Sequence, residues 1–255
     1  VTAAAGTTVR SQYNGIRATN LGTGALTITV NGNVTGTTQD GIVASSSRPI
    51  AITVGATGTV TSNGLTASAF AIETKNTTAT VTVAGTVNGG AGGAIKFDPG
   101  SFANRIELVT GAVINGNVLG GSGTDTLGLS GTGSGSFNVA KLSSFEAGQK
   151  TESGTWTLTG TNTGITNFAV GGGTLFVNGS LSNAAFTVSG GTLGGTGTVG
   201  STSIASSGIF APGNGTPGTS MTVSGSLTFA AAATYLVQVN PATASFAAAT
   251  GTATL

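Results

Sequence analysis

The chain has 255 residues, no cysteine and no histidine, and only 6% of its residues are charged, with a formal net charge of +1. These counts exclude disulfides, thiolate metal sites and a histidine base, and the scattered basic residues form no footprint for nucleic acid. The abundance of Val, Ile and Thr argues against disorder, and no apolar run reaches the roughly 18 residues of a membrane-spanning helix. We expect an extended scaffold that is not an enzyme, with no catalytic residue, metal ion or cofactor.

Two features bear on how the chain is bounded and divided. Residues 1–5 have neither the basic nor the apolar region of an export signal, so we interpret the chain as either a cytoplasmic protein or a piece of a longer one. Residues 153–255 contain no Asp, Glu, Lys or Arg, whereas all the charged residues precede them. We therefore expect charged coils over residues 1–152 and charge-free coils over residues 153–255, continuous with each other.

The first half of the chain repeats a short pattern. A Gly-Ile or Ala-Ile step at Ile16, Ile42, Ile72 and Ile95 recurs at intervals of about 23 to 30 residues, which is typical of solenoids. Each step is followed by an alternating strand and then by a second short strand. The alternating strands are predicted at 26–32, 50–55, 79–85 and 105–111, and the second strands at 32–35, 58–61, 85–88 and 111–114.

Strands of period two, turned by Gly and Asn, predict a right-handed parallel β-helix. Alternate side chains would then point into a narrow core, while the backbone groups bond to the coils on either side. A flat meander or a sandwich is the alternative, but a sandwich has a less regular period and more charge on its outward faces. The predicted fold class is therefore an all-β solenoid of roughly ten coils.

The second half continues as strand, turn and strand. Strands are predicted at 155–160, 173–179, 186–191, 191–194, 197–200 and 234–239, with residues 230–233 as a turn or strand entry. We expect Trp156 to pack beneath a loop rather than to contact a sugar. A core row of stacked rings is predicted from Phe168, Phe176, Phe186, Phe210 and Phe229.

Two glycine-rich motifs resemble ligand-binding loops. Residues 120–128 match one copy of a calcium-binding nonapeptide, but tandem copies are needed to complete the coordination of calcium. We favour a glycine-rich corner with Asp125 facing solvent and keep calcium at Asp125 as the alternative. Residues 195–200 satisfy G-x-G-x-x-G, but the helix and the acidic residue of a dinucleotide fold do not follow.

The acidic residues could also form a pair that cleaves polysaccharide. Stacking of coils would bring Asp98 near Glu73 or Asp125, and this enzyme hypothesis ranks third among the functions considered. Neighbouring basic residues instead favour solvated ion pairs on the surface, which are expected at Glu73 with Lys75, Lys96 with Asp98, and Arg105 with Glu107.

The stretch from Gly120 to the C-terminus resembles the passenger domain of a Gram-negative autotransporter (type V secretion). Motifs such as G-T-W-T-L-T-G, G-T-L-G-G-T-G-T-V and Y-L-V-Q-V-N carry the resemblance. The first half of the chain is similar only through its repeats. The matching pieces lie at 123–127, 145–146, 154–160, 172–175, 191–199, 211–214, 217–219, 227–229 and 235–240.

The resemblance implies a virulence-type passenger at the cell surface, anchored to or released from the outer membrane, with a β-barrel translocator in cis beyond the C-terminus. It implies that residues 191–240 act as an autochaperone, the folding nucleus during export. The expected function is adhesion or self-association, with a host-cell or matrix receptor as a further partner. The alternative is a structural stalk and folding nucleus for a missing N-terminal domain. The G-D-S-G-S segment of protease members of the family does not occur in this sequence.

Overall fold

The computed structural model describes residues 1–255 and consists almost entirely of β-strands, with one short 3-10 turn at Val139–Lys141. The strands stack in parallel as a β-solenoid of about 11 turns, which confirms the predicted fold class. None of its residues lies in a helix long and apolar enough to cross a membrane. The backbone forms two compact units, Val1–Leu127 with Lys141–Phe145, and Gly128–Ala140 with Glu146–Leu255.

The first unit is built from three ladders of parallel strands, A, B and C, and each turn of the chain adds one strand to each ladder in that order. Ladder A is β1-β4-β7-β10-β13, ladder B is β2-β5-β8-β11-β14, and ladder C is β3-β6-β9-β12-β15-β18. The strands of this unit are β1 (Thr2–Ala3), β2 (Thr8–Ser11), β3 (Ile16–Asn20), β4 (Leu26–Val30), β5 (Asn33–Gly36), β6 (Ile42–Ser46), β7 (Ile50–Val54), β8 (Thr59–Ser62), β9 (Phe70–Lys75), β10 (Ala79–Val83), β11 (Thr86–Asn88), β12 (Gly93–Lys96), β13 (Arg105–Val109), β14 (Val113–Asn115), β15 (Val118–Leu119) and β18 (Leu142–Ser143).

The second unit also contains three ladders, D, E and F, and β16 (Thr126–Ser130) begins in the first unit and ends in the second. Ladder D is β17-β20-β22-β25-β28-β31, ladder E is β23-β26-β29-β32, and ladder F is β19-β21-β24-β27-β30-β33. The strands of this unit are β17 (Ser134–Asn138), β19 (Ala147–Lys150), β20 (Thr155–Thr159), β21 (Asn167–Val170), β22 (Thr174–Val177), β23 (Ser180–Leu181), β24 (Ala185–Val188), β25 (Thr192–Gly195), β26 (Thr198–Val199), β27 (Thr202–Ile204), β28 (Ile209–Pro212), β29 (Ser220–Val223), β30 (Leu227–Phe229), β31 (Thr234–Tyr235), β32 (Phe246–Ala249) and β33 (Ala253–Thr254).

The core of the first unit consists mainly of aliphatic side chains stacked in register, together with the buried rings of Phe70, Phe97 and Phe145. The predicted repeat anchors are neighbours in ladder C, where Ile16 pairs with Ile42, Ile42 with Ile72, and Ile72 with Ile95. Burying one such side chain contributes about 1.5–3 kcal/mol. Because strand side chains alternate between the two faces, every second residue of each strand joins this core.

The predicted row of five phenylalanines is wrong, because the rings belong to different ladders and faces. Phe168 stacks on Phe186 in ladder F, with ring centroids 5.2 Å apart and planes 8° from parallel. Phe210 is buried in ladder D. Phe176 points outward because its neighbours in β22 take the inward positions, and Phe229 is half-buried near the end of ladder F.

The second unit also contains the tryptophan and the alanine-rich turn whose environments were predicted from the sequence. Trp156 is fully buried, its Nε1 donates to the carbonyl oxygen of Ser130 at 2.9 Å, and its ring covers Gly135 of β17. A neighbouring strand therefore covers the indole, rather than a loop. Residues 231–232 form the predicted turn, but the strand that follows is only Thr234–Tyr235 because residues 236–238 leave the ladder.

Candidate functional site

Charge is distributed unevenly over the faces of the first unit. The outward positions of ladder A carry mainly Thr through β10, and those of ladder B carry Thr and Asn apart from Arg10 and Val113. The outward positions of ladder C instead include Arg17, Glu73, Lys75 and Lys96. Ladder C therefore presents a charged face, and a cavity lies along it.

A cleft lies along the outward face of ladder C. It has a larger part of about 660 Å³ and a smaller part of about 320 Å³, and both parts are lined by Gln39, Asp40 and Lys75. The charged side chains that line it, five of the 15 in the chain, are Arg17, Asp40, Glu73, Lys75 and Lys96.

The register of ladder C creates the ion pairs on the floor of the cleft. Glu73 of β9 lies opposite Lys96 of β12, and the Lys96 Nζ is 2.9 Å from the Glu73 Oε1. Lys75 is two residues along the same strand, so it points to the same side, and its Nζ is 2.7 Å from the Glu73 Oε2. One nearly buried carboxylate thus holds two ammonium groups.

Asp40 forms the wall of the cleft. It lies two residues before Ile42, and the register of Ile42 with Ile72 brings it against Phe70, whose backbone N–H donates to the Asp40 Oδ1 at 2.6 Å. The residue is 7% exposed. Burial raises the pKa of Asp40 and the negative charge of Glu73 raises it further, whereas the Phe70 hydrogen bond and the two lysines act in the opposite direction.

The sequence predictions for the acidic residues are partly confirmed. The ion pairs of Glu73 with Lys75 and of Arg105 with Glu107 are present, but they are not the solvated pairs that were expected, since the side chains of Glu73 and Glu107 are only 10% and 15% exposed. The pair of Lys96 with Asp98 is wrong, since Lys96 turns to Glu73. Asp98 instead accepts the backbone N–H groups of residues 76 and 100 at 2.7 and 2.8 Å.

The two acids that do share a cleft, Asp40 and Glu73, were not paired by sequence reasoning. The sequence repeat contains the information needed to pair them, because aligning the Ile42 and Ile72 repeats places Asp40 beside β9. It was missed because Asp40 lies in a corner and not in a predicted strand.

Asp125 does not face solvent, which corrects the prediction for the glycine-rich corner. It is fully buried, its Oδ1 accepts the backbone N–H of Asn104 at 2.8 Å, and its Oδ2 accepts that of Gly121 at 2.5 Å. The carboxylate therefore links two turns of the solenoid. Nowhere in residues 1–255 do three acidic side chains converge in a group able to hold a metal ion. Residues 195–200 lie in β25, β26 and the turn between them.

A second surface of interest is the threonine face, defined as the outward side chains of β4, β7 and β10 in ladder A. Thr27, Ala51 and Thr80 form one column by parallel register. The other column is Thr29, Thr53 and Thr82. The face carries no charge, and on β13 the columns end at Arg105 and Glu107, which pair with each other.

Comparison with known protein families, with curated proteins and with solved structures finds no match to this chain. The structure defines its class as a parallel β-solenoid.

Proposed function

We propose that the chain is a surface-displayed autotransporter passenger that acts as an adhesin by associating laterally with copies of itself, without catalysis. The threonine face carries this proposal. A hydroxyl group both donates and accepts hydrogen bonds, so a regular array of hydroxyls is complementary to a second copy of itself. Like charges, which would repel an identical surface, are absent from the face.

The spacing of the face supports lateral contact. Parallel strands repeat about every 4.8 Å, and outward residues of one strand repeat about every 6.6 Å. Two such faces can therefore align over several turns. The β-branched side chains have restricted rotamers, which lowers the entropy lost on contact.

A structural stalk and folding nucleus is the second candidate function, and one observation in the second unit favours it. Phe210, Phe229 and Tyr235 form an aromatic cluster, with the Phe229 and Tyr235 centroids 5.7 Å apart. Such a cluster within residues 191–240 supports early folding of these turns.

The test displays the 255-residue chain on bacteria through a heterologous translocator. The variant Thr27→Glu/Thr80→Glu adds two charges to the threonine face, two turns apart and separated by Ala51. The matched control, Thr8→Glu/Thr59→Glu, adds the same charges to ladder B, separated by Asn33. Surface antibody labelling and circular dichroism establish equal display and folding.

We expect the wild type and the ladder B variant to sediment as aggregates and to bind host cells, and the threonine-face variant to do neither. Aggregation by all three would contradict the self-association proposal. No aggregation or host-cell binding by the wild type would leave the stalk as the function.

A further inference from the structure

The cleft on ladder C contains hydrogen-bonding groups that the protein itself does not use. Arg17 makes no ion pair and no hydrogen bond, and its register places it in the column of Val43, Glu73 and Lys96. The Asp40 Oδ2 accepts no hydrogen bond, although only 7% of the residue is exposed to solvent. The side-chain amide of Gln39 also has no partner. A ligand with both acceptors and donors would satisfy all three.

The balance of charge in the cleft favours a ligand with isolated negative charges. Glu73 is shared by Lys75 and Lys96, so one of these two positive charges is not neutralised within the trio. Arg17 adds another positive charge and Asp40 a negative one, so the five charged side chains of the cleft sum to +1. The planar guanidinium of Arg17 suits a bidentate carboxylate. Two carboxylates in the same cleft would repel a dense polyanion such as a polyphosphate. A fully neutral ligand would leave Arg17 without a partner.

The rest of the lining is rich in hydroxyl groups. Thr38, Thr66 and Ser68 line the larger part, and Thr19 and Ser45 line the smaller part. Hydroxyl groups both donate and accept hydrogen bonds, so this lining suits the hydroxyl groups of a sugar.

We propose that this cleft binds an acidic saccharide, a short sugar chain that carries carboxylate groups. Arg17 and Lys75 bind the carboxylate of one sugar. Asp40 and Glu73 accept hydrogen bonds from sugar hydroxyls, and Gln39 donates to them. The cleft volume lies in the range of small-molecule sites, roughly 300–1,000 Å³. This inference is independent of the proposed self-association, since the cleft and the threonine face use different ladders.

The test is calorimetric titration of the purified 255-residue chain with two acidic probes, tri-galacturonate and sialyllactose. The neutral counterparts are the methyl ester of tri-galacturonate and lactose. Arg17→Gln removes the free guanidinium of the cleft, and Arg10→Gln removes an exposed arginine of ladder B as the matched control. Thermal melts establish that both variants fold as the wild type does.

We expect at least one acidic probe to bind. Its neutral counterpart should bind at least about tenfold more weakly, because it cannot form the charge-assisted hydrogen bond of the carboxylate. Arg17→Gln should weaken binding of the acidic probe by a similar factor, and Arg10→Gln should leave binding unchanged. The probe that binds identifies a uronate or a sialate as the source of the carboxylate. No binding of either acidic probe at millimolar concentration, equal binding of the neutral counterparts, or equal loss in both variants would overturn the proposal.

Discussion

Single buried polar side chains set local stability in this protein. Lys150 is fully buried in the second unit, and its Nζ donates to the carbonyl oxygens of Thr151, Glu152 and Gly172. Burial lowers the pKa of Lys150, while the negative charge of Glu152 acts in the opposite direction. The lysine thus joins two consecutive turns through backbone carbonyls that have few other donors.

Thr74 is the opposite case, a buried hydroxyl without a partner. Its Oγ1 lies inside the first unit and makes no hydrogen bond. We predict that Thr74→Val raises the free energy of unfolding by about 1 kcal/mol, because it removes an unsatisfied polar group and keeps the shape of the side chain. Urea unfolding measures the change.

The matched control is Thr202→Val. Thr202 is equally buried, but its Oγ1 donates to the carbonyl oxygen of Gly200 at 3.0 Å. The same substitution should lower the free energy of unfolding there by about 1 kcal/mol. A loss of stability in both variants would show that Thr74 has a partner in solution.

At the scale of the strand, the phenylalanine stack of ladder F ends against a glycine. Gly148 of β19 pairs with Phe168 of β21, which pairs in turn with Phe186 of β24. A Cβ at Gly148 would lie 2.2 Å from the Phe168 ring. The glycine therefore sets where the phenylalanine stack begins.

We predict that Gly148→Ala lowers the free energy of unfolding by about 1–3 kcal/mol, the usual cost of overpacking a core. Gly171→Ala is the control in the same unit, since a Cβ there meets its nearest atom at 3.7 Å. Its effect should be close to zero or slightly favourable. The double variant Gly148→Ala/Phe168→Leu should recover part of the loss, and additivity of the two single changes would contradict steric coupling.

At the scale of the whole molecule, the two groups with shifted pKa values both oppose folding when they are charged. The pKa of Asp40 is raised from 3.8, so its contribution to stability falls as the pH rises through the folded-state pKa. The pKa of Lys150 is lowered from 10.5, so its contribution increases as the pH rises from the folded-state pKa towards 10.5. The destabilising effects of charged Asp40 and of charged Lys150 are therefore both largest at pH values between their two folded-state pKa values.

We predict a minimum at intermediate pH in the contribution of these two groups to stability. The measurement is urea unfolding of the wild type and of Asp40→Asn/Lys150→Met at a series of pH values. The difference between the two proteins should change in favour of the wild type as the pH falls from the folded-state pKa of Asp40 to 3.8, and as the pH rises from the folded-state pKa of Lys150 to 10.5. Losing the hydrogen bonds of Lys150 adds a cost that does not depend on pH, so only the pH dependence of the difference tests the prediction. A difference independent of pH would contradict the burial of both charges.

The repeat of the sequence determined most of the fold. The alternation of Val and Ile with Thr, and the anchors Ile16, Ile42, Ile72 and Ile95, correctly predicted parallel stacking, because one period of the chain makes one turn of the solenoid. The second half was predicted less well. Phe176 was assigned to the core although it points outward, because composition does not show which face of a short strand is inward.

The candidate site depends on tertiary structure. The sequence separates Asp40, Glu73 and Lys96 by a turn or more, and only the register of ladder C brings them to one cleft. Corners such as residues 38–40 and 121–125 have no period of their own, so the burial of Asp40 and Asp125 could not be read from the pattern. The sequence by itself determined a solenoid with little charge, because periodicity is a local property. The tertiary structure decided where the charges meet, because that depends on which residues face each other across neighbouring turns.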